Sequence, residues 1–406
     1  MPAFLMEPCP LQQERVAQTV YDFEPLVPTP MPGSSANQPL VGNQLQYQAG
    51  VQRRTPPIIA PAEKSEPYSL RWRIGVGIPD FNPQLFDWPA PRPGWYLSWS
   101  VGLTETLSTQ NGWFGRQGTV RTLQMDAPDY AHIGMEFLPM VRVRAGALFP
   151  PAEALAQYAD ENQGRIWLIG NEPDVRWQDN TTPEAYVTAY HDAYHAIKQA
   201  DPTAQVAIAG ISQITPLRLA YLECIWQSYQ ATYGTTIPVD VWTMHAFVLP
   251  EISVDKNTES EGAWGVGIPP GYAESDLVAL GMQWNMEDHT DLRLVENQVR
   301  LMRWWMNAHG QREKPLYITE YGVLMPPSYG YTADVVSDFM VQSFDLFDQL
   351  RDPKLGYSAD DHRLVQRWTW FSTFYRLYPA GNLFNSRGRP TQVMDALNMY
   401  LDAHEP

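Results

Sequence analysis

The sequence predicts an α/β chain that folds into a (β/α)8 TIM barrel, and three observations lead to this prediction. From about residue 70, short apolar runs alternate with helical patterns, which is the rhythm of parallel strands joined by crossover helices. Eight such units over about 330 residues match the number in a barrel. No Gly-rich phosphate-binding loop follows the first run, where Gly75 and Gly77 alone are a weak signal, so a doubly wound sheet is the weaker alternative.

Each predicted strand is a short apolar run that can be buried between helices. In chain order the predicted strands are 73–78, 95–100, 137–143, 166–170, 206–211, 241–246, 316–319 and 364–371. Helical periodicity is clear at 151–163, 183–199 and 292–308, and the second of these opens with Thr-Thr-Pro-Glu, a helix start signal. The longest connection, about 248–291, is predicted to be a lid or a cleft wall.

The first 65 residues differ in composition from the rest of the chain. They contain eleven prolines and show no sustained period of a strand or a helix. We interpret residues 1–65 as a Pro-rich extension or spacer and residues 66–406 as the barrel domain. A strap packed across the barrel is the alternative for the extension.

The charge balance and the apolar pattern exclude two classes of protein. The chain has 45 acidic residues against 28 Lys and Arg, a net charge of −17, so it would repel nucleic acid. No apolar stretch approaches the length of a membrane-spanning helix. The first residues lack the basic and apolar regions of a secretion signal, which predicts that such a signal is absent or has been removed.

The sequence predicts neither a metal nor a cofactor. Cys9 and Cys224 are too few for a disulfide framework or a zinc site and are interpreted as free thiols. The acidic segment 287–291 lacks the spacing of an EF-hand and is interpreted as a solvated helix start. Neither His-Glu-x-x-His nor Gly-x-Ser-x-Gly occurs, which disfavours a zinc protease and a serine esterase.

Two glutamates follow apolar runs at positions that a barrel would bring together. Asn171 and Glu172 directly follow the fourth predicted strand, and Glu320 directly follows the seventh. Active-site groups of such barrels lie at the carboxyl ends of the strands, so the two carboxyl groups should face each other across the barrel mouth. A lone glutamate there is most often a solvated surface acid, but a facing pair is the equipment for hydrolysis of a glycosidic bond.

These motifs resemble the clan of retaining (β/α)8 glycoside hydrolases, clan GH-A, over about residues 70–385. The stretches 171–174, 95–99, 137–140, 240–245 and 316–322 are most similar to the β-1,3-glucanases of glycoside hydrolase family 128. The resemblance implies that Glu172 is the general acid/base and Glu320 the nucleophile. Glu172 should then be protonated near neutral pH, and donors around Glu320 should keep it ionised.

The resemblance also implies residues that bind the sugar. Asn171 would hold the 2-hydroxyl, His245 would touch the nucleophile or the sugar, and Trp370 would form the floor under the cleaved sugar. Trp99, Trp177 and Trp264 could extend this aromatic platform, whereas Trp304 and Trp305 are assigned to the core and the barrel exterior.

Two departures from the clan pattern concern the pocket. Phe247 stands where the clan has an aromatic hydroxyl beside the nucleophile, and Tyr321 could supply that hydroxyl instead. The arginine that the clan often has at the end of the second strand is absent, and Arg142 or Arg144 could place a guanidinium near the site.

The sequence therefore predicts a retaining β-glycosidase that acts on β-glucan, with β-1,3-glucan and endo action favoured. A β-mannan- or xylan-active enzyme of the same clan and a catalytically silent carbohydrate-binding barrel are the alternatives. A carbohydrate is the expected partner and a monomer the expected state. An extracellular or cell-surface location is favoured, with the cytoplasm as the alternative.

Overall fold

The computed structural model describes residues 61–79, 82–101, 103–111, 117–125, 133–251, 265–273 and 275–404. The expectations for the Pro-rich extension, except its last five residues, and those for Cys9 and Trp264 lie outside the described residues. Among the helices that the structure describes, none combines the length and the apolar character needed to cross a bilayer.

The described part of the chain contains twelve strands, and each of the eight predicted runs overlaps at least one of them. Their bounds are β1 (Ile74–Gly77), β2 (Trp95–Leu97), β3 (Leu103–Asn111), β4 (Gln117–Met125), β5 (Glu136–Leu138), β6 (Met140–Arg144), β7 (Ala147–Phe149), β8 (Ile166–Asn171), β9 (Gln205–Gly210), β10 (Trp242–His245), β11 (Leu316–Tyr321) and β12 (Arg367–Trp370).

Most of the strands lie in two sheets that are largely parallel. The larger sheet has the order β10-β11-β12-β1-β2-β5, and the smaller has the order β7-β6-β8-β9, in which only β7 is antiparallel. Pro139 alone separates β5 from β6, and a parallel bridge joins Ala207 in β9 to Val241, next to β10. The prediction of an α/β fold with a curled parallel sheet is confirmed.

Seven α-helices are described, and most of them cover the outer face of the sheet. They are α1 (Leu70–Arg73), α2 (Ala152–Glu161), α3 (Pro183–Ala200), α4 (Pro216–Tyr233), α5 (Leu292–Ala308), α6 (Ala333–Gln349) and α7 (Gln392–His404). The start signal before α3 acts as predicted, because Pro183 is the first helical residue and the Thr182 side chain accepts a hydrogen bond from the Ala185 N–H.

One element was not predicted from the sequence. Strands β3 and β4 pair antiparallel along nine residues each, between β2 and β5 in the chain. The second connection of the barrel pattern therefore contains a long hairpin, for which no strand was predicted.

Buried apolar residues fill both the space between strands and helices and the interior of the curled sheet. Trp95, Trp242, Trp305 and Trp368 are all fully buried, which confirms the assignment of Trp305 to the core. Trp304 is partly buried against the same core, and Cys224 is a buried free thiol. This packing holds the carboxyl ends of β8, β10 and β11 in fixed positions next to one another.

Candidate active site

Three buried titratable side chains meet at the carboxyl ends of the strands. Glu172 follows β8, His245 ends β10, and Glu320 lies near the end of β11. His245 Nδ1 is 2.8 Å from Glu172 Oε1, and its Nε2 is 3.7 Å from Glu320 Oε1. A nitrogen of His245 and an oxygen of each carboxylate lie within 4.8 Å of one another. The two glutamates that the sequence pairs are therefore neighbours, with the imidazole in contact with both.

The backbone at Glu172 has an unusual conformation. Its φ is +42°, in the left-handed region, where a residue with a side chain costs about 1–3 kcal/mol. The Glu172 N–H donates to the Gly210 carbonyl at 3.0 Å, so the turn is fixed against the next strand. A rigid, strained residue at a strand end is typical of a functional position.

A glycine makes room for the imidazole. A Cβ at Gly210 would lie 2.5 Å from His245 Cδ2 and 2.6 Å from its Nε2, closer than atoms can approach. His245 can thus lie against the β9 backbone and reach both carboxylates only because residue 210 has no side chain.

Two of the three groups, Glu320 and His245, have pKa values shifted from their ordinary values. Burial raises the pKa of Glu320 to about 7, although the His245 charge opposes this shift, and the Glu172 carboxylate adds to it. Burial lowers the pKa of His245, but the Glu320 carboxylate and the hydrogen bond to Glu172 outweigh burial, and the pKa rises above its ordinary value. The cluster therefore retains protons at neutral pH, and its titration belongs to the group rather than to one residue.

One hydrogen-bond donor and one nearby positive charge stabilise the ionised form of Glu320. Trp99 Nε1 donates to Glu320 Oε1 at 2.6 Å, and the charge of Arg142 also lowers the pKa of that carboxyl. Arg142 is itself buried and donates to Asp179 at 2.7 Å. The Trp99 donor and the Arg142 charge do not overcome burial, so the pKa of Glu320 stays above its ordinary value. Arg144 is exposed, so Arg142 is the guanidinium that acts on the site.

Asn171 has an oxygen ready for a ligand. The Asn171 side chain is almost fully buried, and its Nδ2 lies 3.3 Å from Gln178 Oε1. Its Oδ1 has no hydrogen-bond partner among the described residues. A buried acceptor without a donor costs about 1–3 kcal/mol, so a ligand hydroxyl that donates to it would recover that cost.

The structure places Trp370 in the core rather than on an open surface of the site. Trp370 is fully buried, donates to the Gly381 carbonyl at 2.8 Å and packs on Tyr321 and Phe339, so it belongs to the core. Phe371 instead packs edge-on against Trp99, at 5.5 Å between ring centroids. Side chains alternate between the two faces of a strand, and sequence alone did not say which of the two aromatic residues faces inward.

Tyr321 also differs from its expectation. Its hydroxyl lies 3.1 Å from Ser343 Oγ on α6, and its ring packs edge-on against Phe347. It follows Glu320 directly in β11, so alternation turns it toward the helix layer. The hydroxyl expected beside the nucleophile is not supplied by Tyr321.

Two further aromatic residues, Trp177 and Tyr378, lie near the site and are not fully buried in the core. Trp177 lies in the loop after β8, is 43% exposed, and has the Arg176 guanidinium 5.4 Å from its ring centroid. Tyr378 was not singled out from the sequence. Its ring packs near Phe371, and burial together with the Glu172 charge raises the pKa of its hydroxyl, which indicates a position close to Glu172.

A buried ion network lies beside Glu172, and sequence reasoning missed it. Arg218 in the first turn of α4 pairs with Asp174, and its Nε lies 2.9 Å from Glu251 Oε1. All three side chains are almost fully buried. Glu251 Oε2 in turn accepts from the Met282 N–H at 2.7 Å, so the network ties the long connection after β10 to the Glu172 turn.

Glu172, His245 and Glu320 are of types that can bind a metal. However, the two imidazole nitrogens face different carboxylates, whereas chelation needs one nitrogen and both carboxylates to converge on one ion. The arrangement therefore fits proton sharing better than metal binding.

In the segment 287–291, Asp291 caps α5 as interpreted, while His289 is buried against the Val248 carbonyl and the Leu324 N–H.

No protein-family model and no curated protein matches the chain. Among solved structures, it is similar to a GH128 subgroup II endo-β-1,3-glucanase from Pseudomonas viridiflava, at 17% identity and TM-score 0.48, over 81% of this chain and 96% of that chain. A GH128 subgroup III curdlan-specific exo-β-1,3-glucanase from Blastomyces gilchristii gives 16% identity and TM-score 0.48, over 81% and 98%. A GH128 subgroup VII oligosaccharide-binding protein from Trichoderma gamsii gives 13% identity and TM-score 0.47, over 85% of this chain and 100% of that chain.

Proposed function

We propose that the chain is a retaining glycoside hydrolase that cleaves β-linked glucan. The observation that carries the proposal is the pair of buried carboxylates, Glu172 and Glu320, whose oxygens lie within 4.8 Å of each other. Retaining enzymes hold their two carboxyl groups about 5–5.5 Å apart, whereas inverting enzymes need about 6.5–9.5 Å to admit a water molecule. The short separation supports double displacement.

In the proposed reaction Glu172 is the acid/base and Glu320 the nucleophile. Glu172 gives its proton to the leaving oxygen while a Glu320 oxygen attacks the anomeric carbon, which forms a glycosyl ester and breaks the glycosidic bond. Glu172 then removes a proton from water, and that water displaces Glu320 from the sugar. Asn171 Oδ1 accepts a hydrogen bond from the sugar, which strengthens in the transition state.

His245 supplies a route for the proton that the first step needs. Its Nδ1 contacts Glu172 and its Nε2 faces Glu320, and the pKa of His245 is raised by the two carboxylates. A proton held by the cluster can therefore pass through the imidazole to Glu172 as substrate binds. Trp99 and Arg142 favour the ionised Glu320 that remains.

We propose that the two sheets form one closed (β/α)8 barrel of clan GH-A type. The pairing of β12 with β1, the Ala207–Val241 bridge and the single residue between β5 and β6 support closure. The motif resemblance to family 128 favours β-1,3-glucan and endo action. A polymeric substrate also favours an extracellular or cell-surface location.

A carbohydrate-binding protein without turnover is the second candidate. Two observations favour it: Phe247 replaces a hydroxyl beside the nucleophile, and burial raises the pKa of Glu320 to about 7. A β-mannan- or xylan-active enzyme would use the same two carboxylates and differ only in how the pocket meets the sugar hydroxyls.

Release of new reducing ends from laminarin, mannan, xylan and cellulose ranks the substrates. We expect the largest release from laminarin, and none from any polymer with Glu172→Gln or Glu320→Gln. Release from mannan or xylan alone would replace the favoured substrate, and binding without release on every polymer would establish the binding protein.

The roles of the two glutamates are tested by leaving-group dependence. Glu172→Ala should lose about 10²–10⁴-fold in kcat/KM on substrates with poor leaving groups, and azide should rescue its activity on activated aryl glycosides. A Glu172 with only a structural role predicts neither result.

A further inference from the structure

A second cluster of histidine and tyrosine side chains lies on the outer helices. His191 and His195 are four residues apart on α3, so they lie on the same face of the helix, and their ring centroids are 4.3 Å apart. His195 is exposed and His191 half-buried. The pair thus presents two imidazoles to solvent from one rigid helix.

Two tyrosines of the neighbouring helix hold His191 in place. His191 Nδ1 lies 2.9 Å from the Tyr229 hydroxyl, and the His191 ring stacks on Tyr233 at 3.8 Å with an interplanar angle of 2°. Both tyrosines are on α4. With Nδ1 engaged by a hydroxyl, Nε2 is the nitrogen left for an ion, and such a partner orients the ring as it does for metal-bound histidines.

The ring separation matches that of two imidazoles on one metal ion. With metal–nitrogen distances of about 2.0–2.1 Å, two imidazoles at a right angle have ring centroids roughly 4.5 Å apart, and a tetrahedral angle gives roughly 5 Å. The observed 4.3 Å is closest to the right angle, which Cu²⁺ and Ni²⁺ prefer.

We propose that His191 and His195 form a surface binding site for a late divalent transition metal ion, Cu²⁺ or Ni²⁺, independent of the glutamate pair. The two imidazoles supply adjacent ligands, and water completes the coordination. Tyr229 and Tyr233 are positioning residues, because they hold the His191 ring without contacting the ion.

Titration of the full chain with NiCl2, read by calorimetry, tests the site. We expect one site that is weakened at least tenfold in His195→Ala and left unchanged in His404→Ala, which removes an exposed histidine from α7. Tyr229→Phe keeps the ring but removes the hydroxyl and should weaken Ni²⁺ binding about tenfold. Equal affinity in the wild type and His195→Ala, or no saturable binding below millimolar Ni²⁺, would overturn the proposal.

The same variants separate this site from the glutamate cluster. Glu320→Gln should bind Ni²⁺ as the wild type does, because the proposed ligands lie on α3. A loss of the calorimetric site in Glu320→Gln together with its retention in His195→Ala would assign the ion to the active site and reject the α3 site.

Discussion

At the edge of the sheet where the strands begin, buried arginines are matched by carboxylates and carbonyls. Arg73 makes a two-point contact with Asp360 at 2.7 and 2.8 Å. Arg367 donates to Glu136 at 2.7 Å and lies over the rings of Trp72 and Trp95. Each of these charges has an opposite partner, so this edge stabilises the fold.

The edge where the strands end has a different balance. Two carboxylates lie against one imidazole there, Glu172 has a strained backbone, and Asn171 Oδ1 has no partner among the described residues. Such an arrangement costs stability and is retained where it provides function. The comparison teaches that carboxylates packed close to each other, rather than the number of buried charges, distinguish the edge where the strands end from the edge where they begin.

The largest effect on stability should come from the edge where the strands begin. Arg73→Met leaves Asp360 buried without its main partner and should lower the free energy of unfolding by about 3–5 kcal/mol. Urea unfolding measures this. Arg300→Met, which removes a half-exposed pair with Glu296, should cost about 0.5 kcal/mol. Similar losses in both variants would contradict the structural role of the Arg73 pair, and kcat should be unchanged in each below its unfolding temperature.

A substitution beside Glu320 should instead lower activity rather than stability. Trp99→Phe removes the N–H that donates to Glu320 Oε1 and should lower kcat/KM about 10- to 100-fold. Without that donor the pKa of Glu320 rises further, so the acid limb of the kcat/KM profile should move to higher pH. Trp88→Phe is the matched control, because Trp88 Nε1 donates to the Pro83 carbonyl instead. An unshifted acid limb in Trp99→Phe would separate Trp99 from the chemistry.

The pH dependence of stability should also come from the edge where the strands end. The pKa of Glu320 is raised from 4.5 to about 7, so between these values the folded chain binds a proton that the unfolded chain releases. Stability from this group is fully present below about pH 4.5 and is lost as the pH rises through about 7. The wild type should lose unfolding free energy between pH 5 and pH 8. This loss should be about 1–3 kcal/mol smaller in Glu320→Gln. An identical difference in both proteins would show that Glu320 is not the titrating group.

The elements that could be predicted from the sequence are those with a local periodic pattern of apolar residues. All eight strand runs and the three helices were predicted because their apolar periodicity is local, and the strand-end rule brought Glu172 and Glu320 together. Whether Trp370 or Phe371 faces the strand-end site depends on which face of the β12 segment is turned inward, and no local sequence pattern fixes that face.

Long-range contacts were beyond the sequence for a different reason. The Asp174–Arg218 pair joins residues of which only the fold makes neighbours, and nothing in the local sequence marks Arg218 as buried. Polar strands such as β3 and β4 lack the apolar period that predicted the others. Sequence therefore located the paired glutamates and neighbours such as His245 and Trp99, but not the buried ion network beside them.

The smallest effect is expected from exposed aromatic residues at the two edges. Trp177, after β8, is 43% exposed, and Tyr68, before α1, is 49% exposed. If the indole stacks on a sugar, Trp177→Ala should raise KM about 3- to 10-fold with kcat unchanged, since such stacking contributes about 0.5–1.5 kcal/mol. Tyr68→Ala should leave both constants unchanged, because it lies at the opposite edge from the glutamates. Steady-state kinetics on laminarin measures both variants, and an equal KM in the two would remove Trp177 from the substrate-binding surface.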